Sequence, residues 1–153
     1  MPSLLPLRVP VLLAIALLGG CATTQPAPAL APFTSDGCSM FPDRSLWSDT
    51  DWCSCCVAHD LAYWRGGTAE QRLAADEALR ACVLRSSGSA GLAELMFNGV
   101  RAGGEPTVLT SWRWAYGWPF GRNYTALTPD EQAAAKTLQV EYENNPQPRV
   151  CTK

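Results

Sequence analysis

The chain has 153 residues, 47% hydrophobic and 17% charged, with a formal charge of −2, which is matter for one small core and excludes a disordered or collagen-like chain. Without a leader that carries Arg8, 11 basic residues (12 − 1) face 14 acidic ones, a charge of −3. A nucleic-acid binder would be basic, and no repeat of about 20–50 residues marks a solenoid.

Arg8 is the only basic residue ahead of the apolar run Val11 to Leu18, which is far shorter than the roughly 20 residues that span a bilayer. Residues 1–20 are therefore expected to be a signal peptide. They lead into Leu18-Gly19-Gly20-Cys21, which resembles the lipobox of bacterial lipoproteins. That resemblance implies cleavage before Cys21 and acylation of Cys21. With Ala22 in place of the Asp that retains lipoproteins at the inner membrane, it implies a lipid anchor in the outer membrane, facing the periplasm. From Ala22 to Ser35 the chain reads ATTQPAPALAPFTS, without charge, so residues 21–35 are expected to be lipidated Cys plus tether. One all-α domain is then expected over residues 36–153.

A first helix is expected from about Asp51 to Arg65, since Val57 and Leu61 recur at helical spacing and Gly66-Gly67 supplies a stop. Thr68 and Gln71 form a capping box for a second helix running to about Arg85, with Leu73, Leu79, Cys82 and Val83 as its buried stripe. The connection is so short that the two helices should lie antiparallel. A third helix is expected over Ala90 to Arg101, with Leu92, Leu95, Met96 and Val100 on one face. In Trp112 to Phe120 an aromatic residue stands at every second position, the pattern of an extended segment whose aromatic face lids the core, walls a lipid groove or meets a membrane. Thr128, Pro129 and Glu131 then open a fourth helix that ends before Pro146.

Setting Cys21 aside leaves Cys38, Cys53, Cys55, Cys56, Cys82 and Cys151, an even number suited to three disulfides in an oxidising compartment. Their count leaves the connectivity open. A zinc site of Cys53, Cys55, Cys56 and His59 is the rival use, but Cys55 and Cys56 on a helix point about 100° apart and cannot easily share one tetrahedral ion.

His59 is the only histidine; it is either a packed core residue or a catalytic one. Asp76 lies among Ala74, Ala75 and Ala78 but next to Glu77 and near Arg80, so it is either a solvated residue or a buried carboxylate that needs a receiver. His59 is the natural receiver. Four residues back from His59 is Cys55, and six forward from Asp76 is Cys82; in antiparallel helices these steps run the same way, by about 6 and 9 Å. A Cys55–Cys82 bridge would staple the pair and hold His59 against Asp76, leaving the imidazole able to act as a general base toward water.

The run Cys55-Cys56-Val57-Ala58-His59-Asp60-Leu61-Ala62-Tyr63 resembles the secreted phospholipase A2 active-site motif CCxxHDxCY, and Ala75-Asp76 through Cys82 resembles its second-helix motif CDxxxxxC. Upstream, Asp36-Gly37-Cys38-Ser39, Pro42-Asp43 and Leu46 resemble the calcium segment of the bacterial and fungal branch. The resemblance covers residues 36 to about 85. It implies a small disulfide-linked phospholipase A2-like fold, with two antiparallel catalytic helices after a calcium loop. It implies His59 as the base, Asp76 as its orienting carboxylate, Tyr63 as a support for that carboxylate, and Ca2+ held by Asp60, the Asp36 side chain and the Gly37 carbonyl. It also implies a Cys38–Cys56 bridge, after which Cys53 and Cys151 remain for each other.

Several features depart from that family. The CGxG loop of the animal enzymes is absent, and Ala62 and Ala75 replace two cysteines that pair with each other there. Gly66 to Thr68 is too short for the animal β-wing, and residues 102–127 have no counterpart. The implied function is calcium-dependent hydrolysis of an acyl ester, the sn-2 one, of glycerophospholipids, with a phospholipid membrane as partner. The rivals are a non-catalytic lipid-binding or envelope-interaction lipoprotein of the same fold, and a zinc or structural lipoprotein.

Overall fold

In the computed structural model, the described residues are 29–145 and 150–151; the leader, Cys21 and tether residues 22–28 lie outside them. Four helices and no strand occur among the described residues: α1 (Cys53–Arg65), α2 (Ala69–Ser87), α3 (Ala90–Gly103) and α4 (Pro129–Asn144). None is long and apolar enough to cross a membrane.

Local chemistry sets the helix ends. Asp51 Oδ1 accepts from the Cys53 amide at 2.8 Å, and Gly66, at φ 71°, stops α1 in a backbone state that favours glycine. Thr68 and Gln71 close a capping box on α2, and Thr128 and Glu131 close another on α4 behind Pro129. Three disulfides join Cys38 to Cys56, Cys53 to Cys151 and Cys55 to Cys82. The sulfurs of the alternative zinc site are thus consumed by covalent bonds. Helices α1 and α2 run antiparallel, since Cys55 meets Cys82, His59 meets Asp76 and Tyr63 meets Arg72 in turn along the pair.

The faces that meet differ in part from the expected stripes. Leu79 and Val83 of α2 are buried, but Leu73 is 44% exposed, and Asp76 and Arg72 take the buried positions one and two turns N-terminal to Leu79. On α3, Ala93 and Met96 are buried while Leu95 is 60% exposed. One apolar cluster gathers Trp52, Leu79, Val83, Ala93 and Met96 around the α1–α2 disulfide. A second gathers Leu30, Phe33, Tyr63, Trp64, Trp114, Trp118 and Ala135.

That second cluster corrects two expectations. Leu30 and Phe33 belong to the core, not to a tether ending at Ser35: Trp64 Nε1 donates to the Ala31 carbonyl at 2.7 Å, and the Phe33 ring meets Trp64 and Tyr142 edge-on. The Trp112–Phe120 segment is a series of turns, not an extended strand. Its role is to finish α1. The amides of Ala115 and Gly117 donate to the carbonyls of Tyr63 and Trp64, and the Trp118 and Trp114 indoles donate to those of Arg65 and Gly67. Helix C-termini leave such carbonyls without intrahelical donors, and here a distant loop supplies them. Arg113 locks the loop by donating to the carbonyls of Trp114, Ala115 and Trp118. Trp114 and Trp118 are buried and Phe120 is exposed, so only part of the aromatic set covers the core.

Phe33→Ala should therefore lower unfolding free energy by about 3–5 kcal/mol, whereas Leu73→Ala should stay within about 1 kcal/mol; urea denaturation of both variants checks the assignment.

Candidate active site

Asp76 is fully buried, accepts hydrogen bonds from α1 and α3, and has an ion-pair neighbour on its own helix. His59 Nε2 and the Tyr63 hydroxyl, both from α1, lie 2.8 Å from its Oδ1. Arg101 of α3 donates to Oδ2 at 2.7 Å, and Arg72, one turn back on α2, approaches to 3.9 Å. Burial by itself would raise the Asp76 pKa, but the hydrogen bonds of His59, Arg101 and Tyr63 outweigh it and hold the carboxyl below its usual value. An ionised carboxylate only accepts, so His59 donates to it through an Nε2–H, and Nδ1 is the ring nitrogen left to face away from Asp76. Tyr63 is fixed in turn: its hydroxyl accepts from Arg72 Nε at 3.0 Å, its ring lies 4.1 Å from that of His59, and Trp114 meets it edge-on. Burial, followed by the Asp76 charge, pushes its phenol well above the ordinary value, so it stays a neutral donor.

Arg72 carries this outward. Fully buried, it donates to the Val100 and Arg101 carbonyls, to Glu105 and to the Tyr124 hydroxyl. The end of α3 and the following loop are thereby tied to the residues that set His59. Neither Arg72 nor Arg101 was a candidate from sequence. Arg72 stands four residues before Asp76, the spacing of a helical ion pair, and could have been noticed; Arg101 comes from another helix and carried no such signal.

His59 opens onto a cavity of about 420 Å³ with mainly apolar walls, among them Phe41, Leu79, Leu95, Met96 and Trp112. Asp60 and Gly37 also line it. Gly37 has φ 86°, and a Cβ there would run into the Asp43 carboxylate, which accepts from the Cys38 amide at 2.8 Å. The Cys38–Cys56 disulfide pins this loop to α1, so the upstream segment and the His59-Asp60 turn of α1 share one wall.

Asp60 turns away from Asp76. Its Oδ2 accepts from the Ser35 hydroxyl at 2.6 Å, and it lines a second cavity of about 220 Å³ together with Asp36, Ser35, Ser39 and Tyr116. Burial pushes its carboxyl up to about 7 against the Ser35 hydrogen bond, and the negative charge of Asp36 adds to the rise. Asp36 itself accepts from Ser39 at 2.8 Å. Two carboxylates that repel one another, with hydroxyls and a glycine backbone beside them, form an all-oxygen donor set. Such a set fits a hard cation, which would relieve the repulsion. Among the described residues no group of three or more His, Cys, Asp or Glu side chains converges as a metal site, so any further ligands would be backbone oxygens or water.

No family model, curated protein or solved structure matches the chain.

Asp76→Asn should cost about 3–5 kcal/mol, because it leaves buried cations facing an amide. The depressed Asp76 pKa also has a sign. Its stabilisation is complete above the unfolded-chain value near 4 and is lost as pH falls through the lower folded value. Urea midpoints measured from about pH 6 down to about pH 2 should therefore fall less steeply in Asp76→Asn than in the parent chain; parallel curves would mean that Asp76 is not the acid-sensitive group.

Proposed function

We propose that the protein is a phospholipase A2-like hydrolase of the bacterial cell envelope, lipid-anchored through Cys21, that cleaves the sn-2 acyl ester of glycerophospholipids with calcium. The observation that carries this is the hydrogen-bonded pair of Asp76 and His59 Nε2, in which the ring also lines an apolar cavity large enough to admit an acyl chain. The stapled antiparallel helices and the disulfide-pinned loop support the finer fold reading.

In this mechanism water lying against His59 gives a proton to Nδ1 as its oxygen adds to the ester carbonyl carbon. Asp76 steadies the imidazolium that results, and Tyr63, Arg72 and Arg101 keep that carboxylate in place. His59 then returns the proton to the departing glycerol oxygen, so the products are a free fatty acid and a lysophospholipid. No acyl-enzyme is formed. Asp60, Asp36 and the Gly37 carbonyl would hold calcium, which when bound polarises the ester carbonyl and offsets charge on its oxygen.

A second reading, a non-catalytic lipid-binding lipoprotein of the same fold, is favoured by a different observation: only two carboxylates face the second cavity, and Ser35 already donates to one of them. Turnover separates the two. The full chain in mixed phospholipid micelles should release fatty acid with calcium and not with a chelator. His59→Gln and Asp60→Asn should each lower release by about 100-fold or more. Lipid binding with no release under any condition would favour the non-catalytic reading, and equal release from all variants would identify a contaminant.

A further inference from the structure

Nine basic residues occur among the described residues, and most of them are already engaged. Arg44, Arg72, Arg80, Arg101 and Arg122 each meet a carboxylate, and Arg113 donates to three backbone carbonyls. That leaves Arg65, Arg85 and Lys136. Arg65 and Lys136 line one cavity of about 360 Å³, whose lining includes no acidic side chain. In a chain whose acids outnumber its bases, two cations left over at one concave place are a charge that the fold itself does not answer. The cavity shares no lining residue with the one that holds His59, and Arg65 stands six residues further along α1, a rise of about 9 Å.

The end of α1 gives this cavity Arg65 and Gly66, the first turn of α2 gives Gln71, and α4 gives Gln132, Ala135, Lys136 and Gln139, at the spacing that puts side chains on one helix face. Gly66 and Ala135 are buried and Leu127 is half-buried, so the floor is apolar. The glutamines are held in part. Gln71 Oε1 accepts from the Thr68 amide at 2.8 Å, which leaves its own N–H groups to donate. Gln132 and Gln139 donate to the Leu127 carbonyl at 3.1 Å and to Glu143 at 2.7 Å, which leaves each with an acceptor oxygen that no described residue meets. Two positive charges, amide donors and two free acceptor oxygens thus surround an apolar floor.

We propose that this cavity binds a short acidic peptide, whose carboxylates pair with Arg65 and Lys136 while its backbone amides donate to Gln132 and Gln139. The donor set selects this class. A phosphate group brings only acceptors to such a site, so it would leave both glutamine oxygens unmet. A carboxylate suits the planar fork of Arg65 and the point charge of Lys136. The floor takes the aliphatic part of a peptide residue, whereas a sugar acid would bring hydroxyls onto Leu127 and Ala135. Peptide binding here does not depend on ester hydrolysis, since no residue of the His59 cavity takes part.

Titration calorimetry on the full chain in nonionic detergent micelles, with the peptide Ac-Glu-Ala-Glu-Ala-Glu as probe, tests this. The peptide should bind with a Kd below about 1 mM, and its neutral counterpart Ac-Gln-Ala-Gln-Ala-Gln-amide and inorganic phosphate should each bind at least about 10-fold more weakly. Arg65→Gln and Lys136→Gln should each weaken the acidic peptide by about 5-fold or more, and Gln132→Leu by about 3-fold with no change of charge. All three side chains are exposed, so the variants should keep the urea midpoint of the parent chain. The proposal is overturned if the Kd of the acidic peptide exceeds about 1 mM, or if the neutral peptide comes within about 10-fold of it. Phosphate binding as tightly as the peptide also overturns it and makes the cavity a general anion site. Peptide binding that survives both Arg65→Gln and Lys136→Gln unchanged places the peptide elsewhere and overturns it too.

Discussion

A single buried carboxylate governs the arrangement of this domain. Asp76 has no exposed surface, and an ionised group in that position is tolerated only if its oxygens are fully met. The donors come from α1 and α3, and Arg72 of its own helix adds an opposite charge at 3.9 Å. Moving any one of these helices would strand a charge. The geometry that lets Asp76 exist inside the protein is therefore the geometry that orients His59, and fold and candidate chemistry share the same hydrogen bonds.

The surroundings reinforce that constraint by two different means. Covalent bonds hold the N-terminal end of α1, where Cys38–Cys56, Cys55–Cys82 and Cys53–Cys151 meet within four residues of the helix start. At the other end hydrogen bonds do the work, as the 112–120 turns complete the last carbonyls of α1 and Arg113 ties those turns together. A helix clamped at both ends presents His59, Asp60 and Tyr63 from a rigid support. Asp76 and the second-cavity carboxylates then lie on different sides of α1, which keeps the orienting carboxylate apart from the oxygens that suit a cation.

Much of this was legible in the residues. The capping boxes of α2 and α4, the Gly66 stop and the short connection were readable because each depends on atoms a few residues apart. The pairing of Cys55 with Cys82 and of His59 with Asp76 is compatible with the helical rise once the pair is antiparallel, because the two steps run the same way. The alternating aromatics misled for an equally local reason. Period two describes a strand with one apolar face, but here Trp114 and Trp118 are spaced to bring indole N–H groups to the open carbonyls of Arg65 and Gly67, and Ala115 takes φ 61° to allow it.

The sequence by itself determined where helices start and stop and that His59 and Asp76 could face each other beside a Cys55–Cys82 bridge. Only the tertiary structure decided that Arg72 rather than Leu73 turns inward, that Arg101 reaches Asp76 from α3, that Leu30 and Phe33 join the core, and that Leu46 and Trp47 remain uncovered. The difference is physical. Caps and helical spacing are satisfied within one or two turns of chain, whereas burial of a given face depends on which distant surface arrives to cover it, and a linear pattern does not contain that surface.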